Sequence, residues 1–133
     1  MREIVLDTET TGLSPQNGDR VVEIGCVELI NHIATGKTYQ TYLNPQKPME
    51  PSAEEVHGLS NEFLRDQPLF EEIFRDFLDF ISDSPLVIHN ADFDIGFLNS
   101  ELKRVSQIEL NIDNAIDTPV SYTHLRAHET VSH

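Results

Sequence analysis

The chain has a single cysteine, nine basic residues against 23 acidic ones, and no long apolar run. Each shortage excludes something. A lone Cys26 cannot close an internal disulfide, and its place inside an apolar stretch predicts a buried, unreactive thiol rather than a nucleophile. With so few Lys and Arg and a formal net charge of −14, a broad basic surface gripping duplex DNA is not expected, because such binding rests on neutralising phosphates. An acidic site filled with cations remains open, since bound ions invert the local field and let a protein handle one strand end. No stretch reaches the ~18 apolar residues of a membrane span, and "MREIVLDTET" lacks the apolar core and cleavage site of a signal peptide. A soluble, cytoplasmic protein without membrane contact is expected. At 133 residues and 38% apolar, the chain suits one small domain.

What is present reads as alternating strands and helices. Residues 3–7 and 20–30 are β-branched and leucine runs around the turn-forming "GLSPQNGD", and a third strand is expected at 36–43 after the turn-like "NHIAT". "NPQKPMEPS", with three prolines, marks an irregular connection. From Leu69 the period changes: Phe70, Ile73, Phe74, Phe77 and Ile81 fall at helical spacing, with charged residues on the other face. Residues 84–89, "SPLVIH", read as a buried strand and 94–105 as a second helix, capped by Asn90 or Asp92. Three strands, helix, strand, helix is an α/β order that fits a mixed sheet with flanking helices.

Asp7 and Glu9 stand two residues apart at the end of the first strand, so their carboxylates share one face. Like charges that close repel each other unless a divalent cation sits between them; hard cations such as Mg²⁺ take oxygen ligands and share carboxylates with substrate phosphates. Asp94, at the start of a helix that follows a buried strand, can converge on the same point if that strand lies beside the first, because sites in α/β sheets form outside the strand ends. Asp92 competes for the role, but capping suits it better.

"DTETTG", "VHGLSNEFL", "LVIHNADFDIGFL" and the "DT" at Asp117 resemble, in order and spacing, the DEDD 3′-5′ exonucleases, the family of the proofreading epsilon subunit of bacterial DNA polymerase III. The resemblance covers residues 1–118 and assigns them to the N-terminal part of an exonuclease domain. It implies a ribonuclease H-like fold, C-terminally truncated, with two bound Mg²⁺ or Mn²⁺ ions. It further implies removal of nucleotides from the 3′ end of single-stranded DNA, in company with the polymerase III catalytic subunit and other holoenzyme subunits. Matched by motif, Asp7 bridges both metals, Glu9 sits beside it and Asp94 is the next carboxylate, so these three are the implied catalytic and metal-binding residues. Asp7, Glu9 and the backbone of Thr10, Thr11 and Gly12 would run alongside the terminal nucleotide, and His57 would touch the substrate. Ser52 stands where the family carries a glutamate five positions before that histidine.

The family completes its site with a histidine and, five positions later, an aspartate on a later helix. Here no aspartate follows Asp117, and although His124 and Glu129 have the right spacing, only five residues separate Thr118 from His124. Those five are too few for the helical path the family inserts there, so neither residue is assigned a role. Residues 119–133 hold three of the six histidines without helical or alternating pattern, and are expected to be an artificial or disordered tail. Such a fragment should leave the apolar face of "FEEIFRDFLDFI" or its neighbours poorly covered, with marginal stability and impaired hydrolysis. Two rival readings are a non-catalytic module of the same fold and a haloacid dehalogenase-type phosphatase. Glu9 and the "HNADFD" block count against the second.

Overall fold

The computed structural model describes residues 1–117. Three antiparallel strands come first: β1 (Arg2–Thr10), β2 (Val21–Ile30) and β3 (Ile33–Tyr42). Two short helices, α1 (Pro51–His57) and α2 (Asn61–Arg65), lead to α3 (Phe70–Ile81), β4 (Leu86–Ile88), α4 (Ala91–Val105) and β5 (Ala115–Asp117). The sheet runs β3-β2-β1-β4-β5, with β4 parallel to β1 and β5 parallel to β4. It is the expected mixed sheet with flanking helices, and the fourth strand does lie beside the first.

Side-chain alternation divides the sheet into two unlike faces. Ile4 and Leu6 of β1, Ile24 and Cys26 of β2, and Leu86 and Ile88 of β4 turn to one side. There they form a single core with Phe70, Phe74, Phe77 and Ile81 of α3 and Ile95, Phe97, Leu98 and Leu102 of α4. Val5, Val27, Leu29 and Val87 turn to the other side and form a cluster made of strand residues alone. The α3 stripe follows its helical spacing, and Glu72 holds the helix start by accepting from Leu69 N–H at 2.8 Å. Poor coverage of "FEEIFRDFLDFI" is therefore not what the structure shows: its apolar stripe is buried against the sheet and α4. Cys26 is buried, and burial pushes its thiol up, as an inert core cysteine requires.

Several boundaries differ for identifiable reasons. β3 starts three residues before the expected strand because only Asn31 and His32, at φ +51° and +69°, make the turn, a two-residue hairpin that matches strand twist. β1 extends to Thr10, which places Glu9 inside the strand rather than after it. The proline-rich connection runs into α1, which starts at Pro51, a position where the missing N–H costs nothing. α4 starts at Ala91, so Asp94 lies in its first turn instead of opening it; Asn90 is the capping residue by position but is left-handed and makes no capping side-chain bond. Asp92, the other candidate cap, is inside the helix. β5, which the sequence did not suggest, is a three-residue strand on the outer side of β4. His124, Glu129 and the 119–133 segment lie outside the described residues.

Candidate active site at the end of the central strand

β1 is the middle strand, with antiparallel β2 on one flank and parallel β4 on the other. β1 and β4 run the same way; β4 ends at Ile88, level with Leu6 of β1, and the turn from it into α4 brings Asp94 to Thr8, two residues further along β1. Asp7 and Glu9 are both half-buried and point to the face opposite the helical core. One oxygen of Asp7, Oδ2, is shut away from solvent. Glu9 lies directly across the ladder from Glu23, which is itself buried and accepts from Gln40 Nε2 at 2.9 Å. A carboxylate facing a carboxylate across an antiparallel pair is unfavourable unless something positive intervenes.

Asp94 is 4% exposed and reaches β1 through Thr8, whose Oγ1 donates to Asp94 Oδ1 at 2.8 Å. Thr8 separates Asp7 from Glu9 in sequence and turns to the other face, so Asp94 meets the strand from the helical side. The structure thus places Asp7 and Glu9 on one face of β1 and Asp94 on the other, bonded to Thr8 between them. Among the described residues, no three His, Cys, Asp or Glu side chains already close on a common point.

The turn that follows is tightly held. Thr10 Oγ1 donates to Gly12 O at 2.6 Å, and Thr11 is fully buried. His57 Nδ1 accepts from Leu59 N–H at 3.0 Å, which leaves the ring proton on Nε2, 3.2 Å from Thr10 O, as donor to that carbonyl. Gly58 makes this possible: at φ +72° it ends α1 immediately after His57, its N–H bonding Glu54 O. His57 therefore touches the backbone expected to run beside the nucleotide. Ser52 is exposed in the first turn of α1.

Sequence reasoning missed a second set of residues here. Asp19 is buried beneath the turn, and Arg20 pairs with Glu101 of α4, whose Oε1 lies 2.8 Å from Arg20 Nη2. Burial works against the charged form of Asp19, but the Lys47 ammonium and the Ser14 and Thr11 donors outweigh it and hold the carboxyl below its ordinary range. Glu101 left a trace in the sequence. It is an acidic residue on the same apolar stripe as Leu98 and Leu102, seven positions after Asp94, where a solvated glutamate has no reason to be. Leu13, 85% exposed, and Val56, 80% exposed, are apolar side chains beside Gly12 and His57 in the chain.

Comparison with known proteins bears on the family and the fold. The exonuclease family model matches residues 4–125. The chain is 54% identical over 123 residues to the DNA polymerase III subunit epsilon of Rickettsia felis, covering 90% of this chain and 54% of the relative. It is 43% identical over 116 residues to that of Pasteurella multocida, covering 84% and 46%. The chain spans about half the length of the curated relatives it matches. Two exonuclease I structures share the fold: the metal-free complex of the Escherichia coli enzyme with single-stranded DNA, at TM-score 0.75 and 16% identity over 96% of this chain and 30% of that one, and a product-bound exonuclease I, at 0.75 and 16% over 98% and 32%. The architecture is ribonuclease H-like, and the chain belongs to the exonuclease family and is similar to epsilon subunits of DNA polymerase III.

Proposed function

We propose that the chain carries the catalytic strand end of a proofreading 3′-5′ exonuclease, which hydrolyses phosphodiester bonds at the 3′ end of single-stranded DNA within a DNA polymerase III holoenzyme. The observation that carries the reading is the Thr8 Oγ1–Asp94 Oδ1 bond, which brings Asp94 of α4 to the residue that lies between Asp7 and Glu9 on β1. Similarity to epsilon subunits and to a single-stranded-DNA complex of exonuclease I supports the substrate and the assembly.

The donor set fits Mg²⁺ or Mn²⁺: all three groups are carboxylates, hard oxygen ligands that leave coordination positions for phosphate and water. Asp7 and Glu9 would hold the ions from one face of β1, and Asp94 from the α4 side. When bound, two such ions lower the pKa of an attacking water and offset charge on the leaving 3′ oxygen. The rest is positioning by the protein. The backbone of Thr10 to Gly12 lines the place of the terminal nucleotide. His57, donating to Thr10 O, keeps that backbone in one conformation and reaches substrate by sharing the same N–H. The exposed Leu13 and Val56 offer apolar surface suited to bases rather than phosphates. Ser52, exposed on α1, offers only a hydroxyl. No residue of this chain is assigned as the general base or fourth carboxylate that the resemblance implies, so we expect slow hydrolysis by this chain and more readily detected nucleotide binding.

A single-stranded oligonucleotide labelled at its 5′ end, incubated with the chain and Mn²⁺, should shorten from the 3′ end, and Asp7→Ala should stop it. Removal from the labelled end, or shortening that survives Asp7→Ala, would refute the reading. Cleavage of a small phosphate ester would instead favour the phosphatase.

A further inference from the structure

We propose that Asp19 and Arg20, adjacent in the chain, are positioning residues that fix the two halves of the site against each other. Asp19 sets the Thr10–Gly12 turn, and Arg20 sets the helix that carries Asp94. The inference rests on reading the strand end as a nucleotide and metal site.

Asp19 is 7% exposed and fills the space beneath the turn. Its Oδ1 accepts from Thr11 Oγ1 at 3.0 Å and from Lys47 Nζ at 2.9 Å, and its Oδ2 accepts from Ser14 N–H at 3.2 Å. Thr11 is held on every side: its N–H donates to Arg20 O at 2.8 Å, its Oγ1 accepts from Arg20 N–H at 3.0 Å, and its carbonyl accepts from Glu50 N–H at 3.1 Å. A Cβ on Gly12 would come within 2.5 Å of Asp19 Oδ2. Glycine at 12 is thus required by the carboxylate packed against it. The turn and Asp19 can move only together.

Arg20 faces the other way. Its Nε and Nη2 donate to the two oxygens of Glu101, both at 2.8 Å, and Glu101 Oε2 also accepts from Val21 N–H at 3.0 Å. Glu101 is 2% exposed and lies two helical turns, about 10.5 Å, beyond Asp94 on the same side of α4. The helix is therefore pinned to the sheet at both ends of one stripe, by Thr8 at Asp94 and by Arg20 at Glu101. Sliding or rotating α4 breaks both. A buried ion pair contributes little net stability compared with a well-packed apolar pair, but a two-pronged guanidinium–carboxylate contact fixes direction and distance. Placed here, it holds Asp94 at a set height relative to Asp7 and Glu9.

The two arms predict separable losses in the full 133-residue chain. By calorimetry, Asp19→Asn should weaken binding of thymidine 5′-monophosphate, titrated without metal, by about tenfold while the Mn²⁺ constant stays at its wild-type value. Glu101→Gln, which keeps the side-chain volume and an acceptor for Val21, should weaken Mn²⁺ by about tenfold and leave monophosphate binding without metal unchanged. Arg20→Lys should recover part of the loss seen in Arg20→Met, because it retains the charge and one donor. Lys47→Met gives a second test of the Asp19 arm, in the same direction, if Asp19→Asn does not fold. Variants that melt earlier yet keep both constants, or that weaken both equally, overturn the inference. A wild-type chain that binds neither probe overturns the reading of the site itself.

Discussion

The two faces of the central strand are built for different ends. On the side of α3 and α4, β1 contributes Ile4 and Leu6 to a core of aromatic and branched residues. On the other, the same strand alternates Glu3, Val5, Asp7 and Glu9, and its neighbour adds Glu23, so buried or half-buried carboxylates stand where an ordinary sheet would carry valines. Apolar burial stabilises by roughly 25 cal/mol per Å², whereas carboxylates gathered in one place oppose folding unless partnered. Stability therefore comes mainly from the first face, and the second, on the proposed reading, gives some of it up to hold metal. Substitutions should divide along that line.

The largest effect is expected from Phe77→Ala, which removes a fully buried ring packed 6.1 Å from Tyr39. Urea denaturation should show a loss of about 3–5 kcal/mol. Asp7→Asn on the opposite face should abolish Mn²⁺ binding while leaving the urea midpoint in EDTA unchanged or higher. A large loss of stability in Asp7→Asn would erase the division between the faces.

Thr8→Val tests the side-chain bond that ties α4 to β1 between Asp7 and Glu9. It keeps the shape of the side chain but leaves Asp94 Oδ1 without the donor it has at 2.8 Å. The cost should be about 1–3 kcal/mol in urea. Weaker Mn²⁺ binding should accompany it, since the Asp94 carboxylate loses the bond that ties it to β1. A change in stability alone would make Thr8 a packing residue only.

The carboxylates that were legible in sequence are those announced by spacing. Asp7 and Glu9 follow from the period of a strand, and Asp94 from a helix that begins after a buried run; the α3 stripe is equally plain because five apolar residues keep helical register. What escaped depends on contacts between distant segments. Asp19 looks like any turn aspartate until Lys47 and Thr11 are brought to it, and Arg20 and Glu101 are 81 residues apart in the chain. Boundaries failed where a few residues decide them: the Asn31–His32 turn is shorter than its polar surroundings suggest, and β5 is three residues long and defined only by its partner. Local pattern gives elements, and tertiary contact gives braces.

Asp19 also sets a pH dependence. Its carboxyl is held below the ordinary value in the folded chain, so its contribution is complete above the unfolded-state value near pH 4. That contribution is lost as pH falls through the lower, folded-state value. Thermal midpoints measured from pH 6 down to 2 should fall less steeply for Asp19→Asn than for wild type. Parallel curves would mean that the Lys47 contact is too well solvated to matter.

The smallest effect sharpens the contrast most. Glu23→Gln keeps an oxygen to accept from Gln40 Nε2 and removes the charge that faces Glu9 across the ladder. Relief of a directly opposed like-charge pair is worth about 0.2–1 kcal/mol, so in EDTA the variant should be slightly more stable than wild type. With Mn²⁺ saturating, the cation already offsets the repulsion, and the gain should shrink towards zero. The metal dependence matters more than the size of the gain, because a face that only packs would respond identically with and without the ion.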